Sequence, residues 1–333
     1  MNELTEGLRS THLSDGSDAL DRPEETDHLE QLPFYPPRSL GTTQKRLPRF
    51  LFRIATPESD GSTNKIWVKS QAAKDNRPSS TEDIFSNFTI KKRTNIAEIL
   101  KVHLRWWPKY DLDDNFVSWT SSLLFAIQYI YYRHLSKKNR SSLANIKLYV
   151  IDTTKFPKGT FMRDLDLINI FCEYDQSEEY KSLRRVKTWR DGDLYFGEYL
   201  SQGALKIENK CQVIPADLIF QNNRLRRIQP NFAEPGEKEG DWAKEVIRLR
   251  KDIWSSSDLP VLSSADMIDR LKAIEEILEN VEPIWRYPIA IYLAGLTGPM
   301  LWGKLDQETP DDSAFFSFFQ SGLLQDDREF LRT

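Results

Sequence analysis

Cysteine is scarce in this chain: among 333 residues only Cys172 and Cys211 occur. Two thiols cannot build the disulfide framework of a small secreted domain, so a reducing, intracellular setting is expected. The N-terminus, Met1-Asn2-Glu3-Leu4-Thr5-Glu6, offers neither a basic region nor an apolar run, and no secretory signal is read there. Long hydrophobic stretches are missing as well. The longest, Pro288 to Trp302, runs for about 15 residues, is broken by Gly295, Gly298 and Pro299, and falls short of a bilayer crossing. A soluble protein without membrane contact is expected. There is no internal repeat, no zinc-ligand spacing, no phosphate-binding glycine loop, no Gly-x-Ser-x-Gly elbow and no dinucleotide fingerprint. Net charge is only −4. Residues 1–46 carry nine acidic and five basic residues, which leaves the remainder balanced at 41 of each. A balanced folded part lacks the basic surface of a general nucleic-acid binder, so nucleic acid is not an expected partner.

What is present suffices for a substantial core: 39% of residues are apolar and 12% aromatic. Residues 1–46, acidic and closed by Pro33, Pro36 and Pro37, read as a disordered tail. Residues 47–230 read as an α+β domain. Pro48 to Ile54 and Lys65 to Lys69 are expected strands, and Asn95 to Leu104 an amphipathic helix carrying Ile96, Ile99, Leu100 and Leu104 on one face. A helix is expected over Ser121 to Ser136 and a strand over Ile146 to Ile151. Further short strands are expected near Phe171, from Tyr199 to Leu205 and from Gln212 to Ile214. Residues 231–240 read as a linker. Residues 241–333 read as an all-α region, with stripes at Trp242, Val246, Leu249 and Ile253 and at Met267, Leu271, Ile274 and Leu278. The second stripe follows a Ser263-x-x-Asp266 capping box. A third helix is expected from Pro288 and a fourth over Ala314 to Leu324.

Three polar positions stand out in order. Arg53 lies in the apolar run Leu51-Phe52-Arg53-Ile54, Ser118 and Thr120 in Phe116-Val117-Ser118-Trp119-Thr120-Ser121-Ser122, and Glu198 in Tyr195-Phe196-Gly197-Glu198-Tyr199-Leu200. An arginine on a strand grips phosphate with two parallel hydrogen bonds. A carboxylate beside a ribose stabilises the cation that forms as a base departs, and small hydroxyl groups in a turn can hold both.

With Lys147-Leu148-Tyr149-Val150-Ile151 and Ile214-Pro215-Ala216-Asp217-Leu218-Ile219, these blocks resemble the ADP-ribosyltransferases of the arginine-serine-glutamate class, the heat-labile-enterotoxin-like group in particular. The Trp-Thr-Ser-Ser and Gly-Glu-Tyr-Leu wording is also similar to a fungal domain family of unknown function. The resemblance covers residues 47–230. It implies a split, mixed or antiparallel β core with helices, and NAD as substrate without a metal. Glu198 would be catalytic, and Arg53, Ser118 and Thr120 would bind NAD. Two positions depart from the pattern. Trp119 stands in the middle of the family's Ser-Thr-Ser, and Phe196 stands where arginine-modifying members carry Glu or Gln. Transfer to arginine is therefore not implied; NAD hydrolysis, another acceptor, or a silent domain that binds a protein partner through its C-terminal helices all remain open.

Each residue also has a structural reading. Arg53 could close a strand at the surface, Ser118 and Thr120 could cap the following helix, and Glu198 could face solvent. Tyr129 and Tyr132 could stack on nicotinamide, though aromatics at helical spacing are usually core. The basic clusters at Lys181 to Lys187 and Arg224 to Arg227 read as solvated charge. His12 and His28 fall in the tail, and His103 and His134 have no partner at metal-ligand spacing.

Overall fold

Residues 30–37, 40, 47–108, 112–136, 140–232, 242–255, 261–299 and 301–302 are described by a computed structural model. Besides short 3-10 turns, the chain runs β1 (Phe50–Ala55), β2 (Ser62–Thr63), β3 (Trp67–Lys69), α1 (Gln71–Lys74), α2 (Ile90–Leu104), β4 (Phe116–Thr120), α3 (Leu123–Leu135), β5 (Lys147–Asp152), β6 (Met162–Arg163), α4 (Asp164–Phe171) and α5 (Leu183–Arg190). There follow β7 (Glu198–Gln202), β8 (Ala204–Lys206), β9 (Cys211–Pro215), α6 (Ala216–Phe220) and α7 (Arg224–Ile228). The C-terminal part holds α8 (Trp242–Trp254), β10 (Val261–Leu262), α9 (Ser264–Leu278), α10 (Pro283–Gly295) and β11 (Leu301–Trp302). The architecture is α+β, with helices at the C-terminus.

Six strands form one antiparallel sheet in the order β6-β7-β4-β1-β5-β9, and β2-β3-β8 form a second. β1 pairs with β5 along its whole length, and β4 pairs with β7 likewise. Between β1 and β4 the ladder has a single rung, Phe52↔Thr120. The sheet therefore opens into a V, with Arg53 to Ala55 on one edge and Phe116 to Trp119 on the other.

Period-two alternation explains the two sides of the sheet. Leu51 and Ala55 of β1 join Val117, Trp119, Tyr149 and Ile151 in one buried cluster. Phe52 and Ile54 face a larger cluster with α3, whose Ile127 and Ile130 are fully buried. Each such side chain stabilises the fold by about 1.5–3 kcal/mol. The same cluster takes in Val246, Leu249, Ile274, Ile277, Trp285 and Leu293, so the C-terminal helices share a core with the sheet. A third cluster packs α2, α4 and α5 together.

Several expectations need correction. Residues 30–37, assigned to the tail, are packed: Leu32 bridges to Gln202, and buried Phe34 donates its N–H to Gly159 O at 2.8 Å. α2 starts at Ile90, five residues early, because the Thr89 hydroxyl caps it by accepting from Lys92 N. The run ending at Phe171 is helix α4, not a strand. It is short and apolar, a pattern that does not discriminate the two, and burial against α2 and α5 decides it. α10 begins at Pro283, where a proline costs no hydrogen bond, and Pro288 lies inside it. Phe232, placed in the linker, is 2% exposed and belongs to the core. The C-terminal part is not purely helical, since β10 and β11 pair in parallel over two residues. The rest of the expected linker, most of the tail and the helix expected over Ala314 to Leu324 lie outside the described residues. Among the described residues no helix is long and apolar enough to cross a membrane.

Candidate active site

The V between β1 and β4 is the mouth of a cleft of about 400 Å³. Arg53, Ser118 and Glu198, 65 and 80 residues apart along the chain, all line it. Trp106, just past α2, and Tyr129 and Arg133 of α3 add walls.

Ser118 and Thr120 lie on strand β4 rather than in a turn, and the cap of α3 is Ser122, whose hydroxyl accepts from Phe125 N at 3.2 Å. Both side chains point to the same side of the sheet as Glu198. Thr120 is directly opposite Glu198 on β7, and Ser118 is its diagonal neighbour, opposite Leu200. The diagonal contact is the one made: Ser118 Oγ donates to Glu198 Oε1 at 2.7 Å. Thr120 Oγ1 donates instead to Phe196 O at 2.6 Å and accepts from Ser122 N at 3.0 Å, tying the start of β7 to the start of α3. Gly197 makes that junction with a left-handed backbone (φ +66°), and a Cβ there would stand 2.1 Å from Ser121 Oγ.

Glu198 is buried, not solvent-facing. Its second oxygen, Oε2, accepts from Arg190 Nη1 at 2.5 Å. The same Nη1 is bonded to Asp164, and Arg190 Nη2 donates to Leu104 O at 3.3 Å. Burial works against the Arg190 charge, but Glu198 and Asp164 outweigh it and raise its pKa above the usual arginine value. Asp164 pays the opposite cost: burial, with Glu198 nearby, pushes its carboxyl up to about 6 in spite of Arg190.

On its other side Ser118 Oγ meets His103 Nε2 at 2.8 Å, and His103 Nδ1 meets Asp114 Oδ2 at 2.8 Å. Asp114, His103, Ser118, Glu198, Arg190 and Asp164 thus form one continuous, largely buried polar chain from α2 through β4 and β7 to α5 and α4.

Arg53 approaches from the other edge of the V. Its Nε donates to Thr63 Oγ1 at 3.2 Å and its Nη1 to Ser118 O at 2.9 Å, so it touches the serine's backbone, not its hydroxyl. Among the described residues no carboxylate lies within ion-pair distance of it. Burial pulls its pKa down to about 10, which leaves it a cation at neutral pH. A half-buried guanidinium without a carboxylate partner is suited to an anionic ligand.

The two departures from the family pattern sit away from this polar chain. Trp119 is 1% exposed and turned to the opposite side of β4, where its Nε1 donates to Ser201 Oγ at 2.9 Å. Phe196 packs on Phe125 and Trp242, with ring centroids 4.9 and 6.0 Å away, and does not line the cleft. Tyr129 is part of that aromatic group as well as a cleft wall, and Tyr132 stacks on it at 5.7 Å.

His103, Asp114, Arg190 and Asp164 escaped the sequence reading. His103 precedes Asp114 by 11 residues, a spacing with no motif value, and Arg190 sits just past a basic cluster read as solvated. That reading suits Lys181, Arg184 and Arg185, which are exposed. It fails for Arg224 and Arg227, which pair with Glu276 at 3.0 and 2.8 Å and hold α7 against α9. His134 Nδ1 meets Ser141 O at 2.9 Å and is structural. Cys172 and Cys211 are free thiols, and burial pushes Cys211 up to about 11.

An α+β chain whose sheet opens on a buried glutamate, an arginine and a shared hydroxyl is the class of protein in hand. Residues 46–205 match the model of a family described as a domain of unknown function (DUF7587). That span contains every residue of the polar chain and Arg53, and it ends before β9. No curated protein and no solved structure matches the chain.

Proposed function

We propose that the cleft binds NAD and that the protein cleaves its nicotinamide–ribose bond, as an ADP-ribosyltransferase or an NAD glycohydrolase. The observation that carries this reading is the Ser118–Glu198 hydrogen bond at 2.7 Å, in one cleft with Arg53. The bond from ribose carbon to nicotinamide nitrogen breaks with its electron pair leaving on nicotinamide. The ribosyl cation then takes an electron pair from water or an acceptor, whose proton is lost to a base or to solvent. Glu198 is the group that stabilises the cation. Two of its lone pairs are used by Ser118 and Arg190, which leaves acceptor capacity for a ribose hydroxyl. Arg53 would hold phosphate, and the exposed ring of Trp106 would lie against a planar base. Phe196 supplies no carboxylate for activating an arginine acceptor, which favours water or another nucleophile. NAD is a substrate here, and the chemistry needs no metal.

A second reading is a silent NAD-transferase-like module that docks a protein through its C-terminal helices. It is favoured by the Arg190 ion pair, which neutralises Glu198, and by Ile268, Ile284 and Ile291, which are about half-exposed on α9 and α10. The deciding experiment incubates the purified full chain with NAD and measures free nicotinamide, with Glu198→Gln as control. Release that depends on Glu198 supports the enzyme. Absence of both NAD binding and nicotinamide release would overturn it and leave the docking module.

A further inference from the structure

Ser118 Oγ has two neighbours and one hydrogen. His103 Nε2 stands 2.8 Å away on one side and Glu198 Oε1 2.7 Å away on the other. Both separations are hydrogen-bond lengths, so each gap must contain a hydrogen. The serine supplies one; the other belongs to His103 or to Glu198. Two further contacts say which. Glu198 Oε2 faces Arg190 at 2.5 Å within an ion pair, the environment of a carboxylate. Asp114 Oδ1 accepts the N–H of Phe116 at 3.0 Å while Oδ2 faces His103 Nδ1 at 2.8 Å; as a carboxylate Asp114 can only accept, and Nδ1 then bears the hydrogen between them. With Glu198 ionised, Ser118 donates to it, and Nε2 must donate to Ser118.

We propose that His103 is a positioning residue of this site, held by Asp114 with hydrogen on both ring nitrogens, and that it shares one mobile proton with Glu198 across the Ser118 hydroxyl. The transfer is balanced. The Nε2 hydrogen passes to Oγ as the Oγ hydrogen passes to Oε1, giving a neutral Nδ1–H imidazole and a carboxylic acid, and reversal restores the imidazolium and the carboxylate. The form needed opposite a ribosyl cation is the one with the proton on His103. The groups facing the imidazole are Asp114 from the segment entering β4, and the Phe116 ring (5.6 Å) and Ser118 from β4; behind Ser118 lie Glu198 of β7, Arg190 of α5 and Asp164 of α4. A lone histidine on a helix would carry no such role; the clamp at Nδ1 and the shared hydroxyl at Nε2 give it one.

The proton position is read without turnover, by imidazole nitrogen NMR of the full chain labelled with 15N-histidine. The chain has four histidines, and the His103→Gln variant assigns the resonance. The wild type should show hydrogen on both His103 nitrogens. In Glu198→Gln the new amide donates to Ser118, the serine turns to Nε2, and His103 should drop to the Nδ1–H form. A bare Nε2 in the wild type, or an unchanged ring in Glu198→Gln, overturns the proposal. The second arm rests on the NAD reading. His103→Leu should lower kcat on the order of a hundredfold with the KM for NAD nearly unchanged. His103→Gln, which still donates to Ser118, should recover most of the rate. A KM effect as large as the kcat effect, or equal loss in both variants, would reduce His103 to a packing residue. Absence of nicotinamide release from the wild type would sink the NAD reading alone, and the NMR arm would still decide the proton.

Discussion

Ser118 and Glu198 meet diagonally across the β4–β7 ladder, hydroxyl to carboxylate, at 2.7 Å. Strand register fixes this contact: a slip of one residue would turn Ser118 to the Trp119 side of the sheet. Replacing Ser118 by Ala should leave Glu198 paired with Arg190 but free to swing, and should strand His103 Nε2. The expected cost is about 1–3 kcal/mol of stability, from the orphaned buried group. A chemical denaturation midpoint that does not move would show that water replaces the hydroxyl.

Arg190 stands between two buried carboxylates, with Asp164 wholly buried and Glu198 nearly so. Arg190→Met keeps much of the side chain's volume and removes the charge that both acids share. Breaking a buried ion network in this way costs about 3–5 kcal/mol, far more than a surface pair. Urea unfolding of the variant should show that loss. A change below about 1 kcal/mol would mean that the acids are held by something other than the arginine.

The raised Asp164 carboxyl sets a pH dependence of opposite sign to that of most acids. Its folded pKa, about 6, lies above the ordinary value of 3.8, chiefly because of burial. The folded state therefore binds a proton more tightly than the unfolded chain, and stability falls as pH rises from about 4 to 6. One of the Asp164 oxygens, Oδ1, is buried with no hydrogen-bond partner, which suits a protonated acid. Asp164→Asn should flatten the curve in that window and leave Arg190 paired with Glu198. Stability that rises through the window and is insensitive to Asp164→Asn would refute the assignment.

Fold class and the central elements were legible in the sequence because their patterns are local. A short apolar run marked β1, alternation marked β5, and an apolar stripe marked α3 within two residues at its start, although its cap is Ser122 and not Ser118 or Thr120. The capping box at Ser263 and Asp266 appears as read. α4 was misread because eight residues are too few to separate a helical stripe from a strand, and only packing on α2 and α5 decides. At the site, Arg53, Ser118 and Glu198 could be picked out as an ordered set, and the structure brings them to one cleft. Thr120 was picked out with them but bonds to backbone at the β7–α3 junction. The rest of the polar chain was illegible for a physical reason. Asp114, His103, Asp164 and Arg190 come from separate elements, and only the tertiary fold sets their partners.

Trp106 occupies the position just past α2 where a helix most often ends on glycine. Its N–H bonds to His103 O at 3.1 Å, the Trp107 N–H bonds to Val102 O at 3.2 Å, and its φ is +53°. This is the left-handed helix end that a residue without a Cβ adopts at no steric cost. A tryptophan there carries backbone strain of about 1–2 kcal/mol, and its ring, 45% exposed, stacks on Trp242 at 4.9 Å and walls the cleft. Trp106→Ala and Trp106→Gly both remove the ring, but only glycine relieves the backbone. The glycine variant should therefore be the more stable of the two by about 1 kcal/mol, the reverse of the order inside a helix. If the ring also holds a planar base, both variants should weaken NAD binding equally, by about 0.5–1.5 kcal/mol for a lost aromatic stack. Denaturation midpoints of the pair test the strain, and titration with NAD tests the ring. Alanine proving more stable than glycine would show that the turn does not need its left-handed residue, while binding unchanged in both would remove Trp106 from the ligand site.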